Sequence, residues 1–240
     1  MRFAISLATV NRVLAVNFVC LCLAGVTAEL AKQLLGVGKL YGLLPLVNLS
    51  YEGNLPTWYS STLLLLCAVV LAVIAASKRR SGDPYRRHWT ALAVIFLYMA
   101  IDEAVSIHEL LNQLFDLPGI FYFGWVIPAG ILVAVFVASY LRFLAALPPR
   151  SGFEFLRAGA VYVGGALGVE LLLGYWTDLY GDDGLGYGLI DALEESLEIA
   201  GASLFLSALL GYLGRHVTTE MHVSLTVPED PFQQPSNSKG

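Results

Sequence analysis

The chain has 240 residues, of which 57% are hydrophobic and only 14% are charged, whereas soluble domains carry roughly 25% charged residues. Its net charge is −5, and no basic stripe is interleaved with aromatic residues, which argues against nucleic acid as a partner. The apolar residues come in blocks of about twenty, the length that an α-helix needs to cross a bilayer. The composition therefore predicts an all-α membrane protein with the lipid bilayer as its surroundings and no separate soluble domain.

The apolar blocks predict a bundle of six transmembrane helices within residues 1–215. The crossings cover residues 13–35, 58–76, 89–111, 120–147, 155–175 and 187–213. Pro56 is placed to open the second crossing, since proline is favoured in the first helical turn. Residues 216–240 are polar and contain three prolines, which is typical of a disordered tail.

The first crossing has an alternative interpretation. Gly25-Val-Thr-Ala28 resembles the small-residue cleavage site of a signal peptide. The apolar character continues beyond that site to Leu35, which favours a helix that is retained. In the fifth crossing, the four glycines at positions 159, 164, 165 and 168 predict a close approach of neighbouring helices.

Basic residues are distributed unequally between the two ends of these crossings. Only Lys32 and Lys39 lie at one end, and the other twelve lie at the opposite end: Arg2, Arg12, Lys78, Arg79, Arg80, Arg86, Arg87, Arg142, Arg150, Arg157, Arg215 and Lys239. Basic residues are enriched on the cytoplasmic side of membrane proteins. The bias therefore predicts that both termini are cytoplasmic and that the loops with Glu52, Asp116 and Asp182 face outward.

The third crossing carries an unusual set of polar residues, Asp102, Glu103, His108 and Glu109, inside an apolar segment. At roughly 100° per helical residue, Asp102, Ser106 and Glu109 fall on one line of a continuous helix. An acidic residue near the middle of a membrane costs about 2.5 to 3.5 kcal/mol on insertion scales. These acids therefore need a proton, a bound cation or water in a cavity.

Further acids fall in the same outward half of the bundle. Glu29 lies late in the first crossing and Glu170 late in the fifth, while four acids share about 100° of one face early in the sixth: Asp191, Glu194, Glu195 and Glu198. Glu52, in an outward loop, is placed to fold back over them. Lys32 is the only basic residue nearby, so salt bridges cannot neutralise the cluster.

Each of these residues also has an ordinary structural explanation. Asp191 and Glu29, near the ends of crossings, are placed to reach the headgroup region. Asp102, Glu103 and Glu198 lie deeper, where a protonated carboxyl can pack by hydrogen bonding, and a single histidine can serve as a hydrogen-bonding residue between helices. The concentration of acids around one imidazole favours a ligand role for His108.

Carboxylates with an imidazole suit iron, manganese or zinc. The arrangement is similar to the carboxylate-bridged sites of four-helix bundles, although this chain has one buried histidine and lacks their Glu-x-x-His spacing. We predict a divalent metal cofactor, one of these three ions. The predicted ligands are Asp102, His108, Glu109, Glu170, Glu194 and Glu198, and the residues predicted to transfer protons in catalysis are Glu103 and Glu195.

Three motifs resemble an uncharacterised group of bacterial multi-pass inner-membrane proteins. They are Glu-Gly-Asn-Leu-Pro-Thr-Trp at 52–58, Asp-Glu-Ala-Val-Ser-Ile-His-Glu at 102–109 and Glu-Glu-Ser-Leu-Glu at 194–198. The resemblance spans most of the chain up to about Arg215. It implies the bacterial inner membrane as the location and brings no activity with it.

Three functions remain open from the sequence. The first hypothesis is a metal-dependent enzyme that acts on a small-molecule or lipid-like substrate. The second is a proton- or cation-coupled transporter or channel that uses the same buried acids, because intramembrane acids also form ion pathways. The third is a membrane subunit or sensor without chemistry. A homo-oligomer is compatible with each of them.

Overall fold

A computed structural model describes residues 6–37, 42–112 and 117–217. The described residues form helices and connecting turns, with no β-strand among them. The α-helices are α1 Leu7–Leu35, α2 Leu43–Val47, α3 Leu55–Arg80, α4 Arg86–Val105, α5 Ile107–Asn112, α6 Val126–Ala146, α7 Pro149–Val163, α8 Glu170–Tyr180 and α9 Leu185–His216. A 3₁₀ turn, Gly119–Phe121, precedes α6, and a π-helical segment, Gly164–Val169, joins α7 to α8.

Six of the described helical stretches are long and apolar enough to cross a membrane. They are α1, α3, α4, α6, the continuous stretch Pro149–Tyr180 and α9. This confirms the prediction of an all-helical, multi-pass membrane protein. The predictions about Arg2, Lys39, Asp116, Lys239 and the tail beyond residue 217 lie outside the described residues.

The helix α9 occupies the centre of the bundle. It packs against α1, α3, α7 and the π-helical segment, while α3 and α4 form a closely packed antiparallel pair. Ile199 and Leu209 of α9 are fully buried with Leu64 and Leu71 of α3. By contrast, apolar side chains of α6 such as Leu132 remain exposed, as expected for a helix whose surroundings are lipid tails.

Local capping explains where α3 begins and ends. The side-chain oxygen of Asn54 accepts a hydrogen bond from the Thr57 backbone N–H at 3.2 Å, and Pro56 lies in the first turn, so the predicted role of Pro56 is confirmed. After Arg80 the chain turns through Gly82, whose φ of +69° favours glycine. The second crossing is therefore a few residues longer at both ends than predicted.

The third crossing is not the continuous helix predicted for 89–111. The helix α4 ends at Val105, and Ser106 adopts a left-handed conformation with φ 53° before α5 begins. The Asp102 carboxylate accepts the His108 backbone N–H at 2.9 Å, which caps the start of α5. Asp102, Ser106 and Glu109 therefore do not share one helical line. The fourth crossing also differs, since its helix starts at Val126.

Of the four glycines in the fifth crossing, only Gly165 makes a close helix contact. A Cβ atom there would lie 2.9 Å from the Glu194 carbonyl oxygen on α9. Cβ atoms at Gly159, Gly164 and Gly168 would meet nothing within 4 Å. Gly165 belongs to the π-helical segment, a geometry that is frequent at functional sites, and it brings this segment against the acidic part of α9.

Candidate functional site

The break at Ser106 builds a carboxylate–histidine pair. His108 Nδ1 lies 3.0 Å from one oxygen of Asp102, and the His108 backbone N–H donates to the other. Both contacts form only because the left-handed residue turns α5 back toward the end of α4. Asp102, predicted as a metal ligand, is therefore engaged by His108, and the imidazole keeps Nε2 for another partner.

His108 interacts electrostatically with several of the acids that the sequence predicted to converge. The carboxylates of Glu52, Glu103, Glu170 and Glu198 all lie within electrostatic range of its ring. The short helix α5 lies outside the six long apolar helices. Burial lowers the pKa of His108, but the Asp102 hydrogen bond and the surrounding carboxylates outweigh it and raise the pKa to about 9.

Trp125, at the start of α6, connects His108 to the fifth crossing. The Trp125 and His108 ring centroids are 5.0 Å apart, and the indole Nε1–H donates a hydrogen bond to Glu170 Oε1 at 2.8 Å. A second contact fixes the backbone, since the Trp125 N–H donates to Asn112 Oδ1 at 3.3 Å. A hydrogen bond to a buried carboxylate is worth about 1.5 to 3 kcal/mol.

Glu170 and Glu194 form a buried pair of carboxyl groups. Their relative exposures are 7% and 8%, and the two carboxyl groups are close enough to interact electrostatically. Glu194 Oε2 is buried and accepts no hydrogen bond from any described residue. Two carboxyl groups this close require a shared proton or a cation between them.

A second group of acids lies deeper in the bundle. Glu103 of α4 lies within electrostatic range of Glu195 and Glu198 of α9. Protein surrounds these side chains, yet all three keep partial exposure. The Tyr162 hydroxyl lies beside Glu198, and the buried Ser60 hydroxyl on α3 lies beside Glu103.

The loop between α2 and α3 covers the acids. The Ser106 hydroxyl donates a hydrogen bond to Glu52 Oε2, so Glu52 folds back over the cluster as the sequence predicted. Asn54 holds the loop in shape, since its amide donates to the carbonyl oxygens of Asn48 and Pro45 at 2.6 and 3.2 Å.

Glu29 does not reach toward the headgroup region, and that interpretation of this residue was wrong. Its side chain is fully buried, and its carboxylate accepts hydrogen bonds from Gln33 and Asn48, each at 2.8 Å. Lys32 lies 3.7 Å away. Gly188 on α9 provides the space, since a Cβ atom there would lie 2.7 Å from Glu29 Cγ.

The predicted ligands are only partly brought together. His108, Glu170, Glu194 and Glu198 converge from three parts of the bundle, whereas Glu109 is exposed on α5. Among residues 6–37, 42–112 and 117–217, no three His, Cys, Asp or Glu side chains are already positioned to hold a metal ion.

Sequence reasoning missed the neutral residues of the site. Trp125, Tyr162 and Asn48 contact the acids, but nothing in the sequence distinguishes them from other aromatic residues of apolar segments or from ordinary loop residues. Ser60 is equally hard to recognise as a site residue, because serine is common in membrane helices. Only the carboxylates and His108 stand out from an apolar background.

The fold and the site together define a multi-pass membrane protein with a carboxylate-rich interior. The chain belongs to the family described as Domain of unknown function (DUF8692), whose model matches residues 18–213. The matched residues include His108 and all the acids of the cluster. The chain matches no curated protein and no solved structure.

Proposed function

We propose that the acid cluster around His108 binds a divalent cation, namely iron, manganese or zinc. The main support is the hydrogen bond from His108 Nδ1 to Asp102, together with the carboxylates of three helices near the ring. Histidines that bind metals typically donate their second ring N–H to a carboxylate, which orients the ring. In this proposal Asp102 is the orienting residue and Nε2 is the ligand atom.

The donor set suits such an ion, because carboxylate oxygens and imidazole nitrogen are the ligands of these three metals. Glu194 supplies a buried oxygen without a partner, and Glu170 and Glu198 are its nearest candidates for completing the site. Since no group of three is preassembled in the described residues, binding requires side-chain rotation, chiefly of Glu170 away from Trp125.

A divalent cation in this position would supply Lewis-acid or redox chemistry. Glu103 and Glu195 lie beside the cluster and are partly exposed, so they are suited to moving protons between the site and the exterior. The site lies between apolar helices, so a lipid-like substrate is the class that would reach it from the bilayer. We therefore extend the proposal to an enzyme that acts on such a substrate.

The location follows the same reasoning. The basic bias of the loops supports cytoplasmic termini and an acid cluster in the outward half of the membrane. We propose the bacterial inner membrane, in line with the resemblance of the three motifs at 52–58, 102–109 and 194–198.

A second candidate is a proton-coupled transporter or channel. The Glu170–Glu194 pair favours it, because two adjacent carboxyl groups can share a proton without any rearrangement. Polar side chains continue inward from this level, since the hydroxyls of Ser60, Tyr59 and Ser203 are all buried. Buried polar residues of this kind are typical of proton relays.

Metal analysis of detergent-purified protein separates the two candidates. Wild-type protein should contain stoichiometric iron, manganese or zinc, and His108→Ala should weaken metal binding at least about ten- to a hundredfold. Glu198→Gln should also lower the metal content, whereas Asp182→Asn is a matched control in an exposed loop and should leave it unchanged.

Two results would contradict these expectations. Folded wild-type protein that stays free of metal after incubation with all three ions would refute the metal site and favour the proton pair. Equal metal content in the Glu198→Gln and Asp182→Asn proteins would remove Glu198 from the ligand set.

A further inference from the structure

An apolar groove runs along the outer surface of the α3–α4 pair, away from the acid cluster. Its volume is about 580 Å³, and its lining is mostly apolar. Larger side chains such as Leu65 and Leu97 line it together with the alanines Ala72, Ala76 and Ala93, whose small size leaves the space between the helices. Several of these side chains are exposed, so the groove opens toward the lipid.

One end of the groove is strongly basic. Arg79 and Arg80, in the last turn of α3, belong to its lining, and both are exposed. Neither arginine forms an ion pair with any residue that the structure describes. The adjacent Lys78 differs, since its ammonium group lies 3.3 Å from Asp83. The two guanidinium groups therefore lie at the end of an apolar groove, and no described acidic side chain pairs with them.

The length of the groove matches one leaflet of a bilayer. The fifteen residue-to-residue steps from Leu65 to Arg80 rise about 22 Å along α3 at about 1.5 Å per step. Half of a bilayer, headgroups included, is about 20 to 22 Å thick. A groove of this length can hold an acyl chain along its apolar part while the arginines reach the level of the headgroups.

We propose that this groove binds an anionic phospholipid, with an acyl chain along the alanines and the headgroup phosphate on Arg79 and Arg80. Arginine binds phosphate oxygens in a bidentate manner, and basic pockets between membrane helices bind acidic headgroups.

A second copy of this chain fits the groove less well. The described carboxylates at the same end of the bundle are already engaged, since Asp83 pairs with Lys78 and Glu154 pairs with both Arg150 and Arg215.

The test uses the full chain, purified in detergent and titrated with phosphatidylglycerol or phosphatidylcholine, with bound lipid counted by native mass spectrometry. Phosphatidylglycerol should bind more tightly, and R79Q/R80Q should weaken it about 30-fold, from the contribution of two basic residues at a membrane surface. R86Q/R87Q is the matched control, because these arginines begin α4 close by, are exposed and do not line the groove. It should bind phosphatidylglycerol like the wild type.

A second variant tests the apolar part of the groove and does not depend on the arginines. Ala72→Leu with Ala76→Leu fills the space and should lower the retention of both lipids while the protein stays monodisperse. Equal affinity of the wild type for the two lipids, or equal losses in the two arginine pairs, would overturn the proposal. So would full competition by soluble glycerol phosphate, or a wild-type dimer that the alanine variant dissociates.

Discussion

Gly188→Ala tests the close packing of α9 against the buried Glu29 of α1. A methyl group at this position would lie 2.7 Å from Glu29 Cγ and closer still to its carboxyl group. Glu29 cannot turn aside freely, because Asn48 and Gln33 hold its two oxygens at 2.8 Å. The clash must therefore separate the helices or break these hydrogen bonds.

The cost can be estimated against a matched control. Overpacking a tight contact destabilises a protein by about 1 to 3 kcal/mol, and a lost hydrogen bond to a charged group costs about 1.5 to 3 kcal/mol. Replacing a helical glycine with alanine stabilises the helix by about 0.5 to 1 kcal/mol, and this applies to both positions. Gly159→Ala meets open space, so the difference between the two variants should be about 1 to 3 kcal/mol.

Reversible unfolding in mixed micelles of a mild detergent and sodium dodecyl sulfate measures both variants. Gly188→Ala should unfold at lower dodecyl sulfate than the wild type, and Gly159→Ala at the same level or higher. Glu29→Ala removes the side chain that a methyl group at position 188 would meet. In that background Gly188→Ala should destabilise the protein no more than Gly159→Ala does. This double-mutant cycle then assigns the extra cost of Gly188→Ala to its contact with Glu29. Equal stability of the two single variants in the wild-type background would refute the reasoning.

Two further predictions concern the link across the site and the orientation of the chain. Trp125→Phe removes the hydrogen bond to a buried carboxylate and should cost about 1.5 to 3 kcal/mol of unfolding free energy, whereas Trp58→Phe, at a side chain 64% exposed, should be nearly neutral. In a cysteine-free background, a cysteine at Gly184 should react with an impermeant thiol reagent in intact cells, and one at Ser81 should not. The opposite labelling would reverse the proposed orientation.

The sequence by itself determined the class of protein and the approximate extent of its helices. A bilayer allows only backbone that satisfies its own hydrogen bonds, so an apolar block of sufficient length must be a helix. For the second crossing, residues 58–76 were predicted and the structure has Leu55–Arg80. The acids were equally recognisable, because ionisable residues are costly in an apolar segment whatever surrounds them.

Tertiary structure alone decided how those acids are arranged. The left-handed conformation of Ser106 is unfavourable for a residue with a Cβ atom, and it persists because contacts distant in sequence support it, including the hydrogen bond to Glu52. That turn brings His108 onto Asp102, a contact that helical periodicity cannot predict. Likewise, the burial of Glu29 depends on Gly188 and Asn48, which become its neighbours only when α9 and the loop pack against α1.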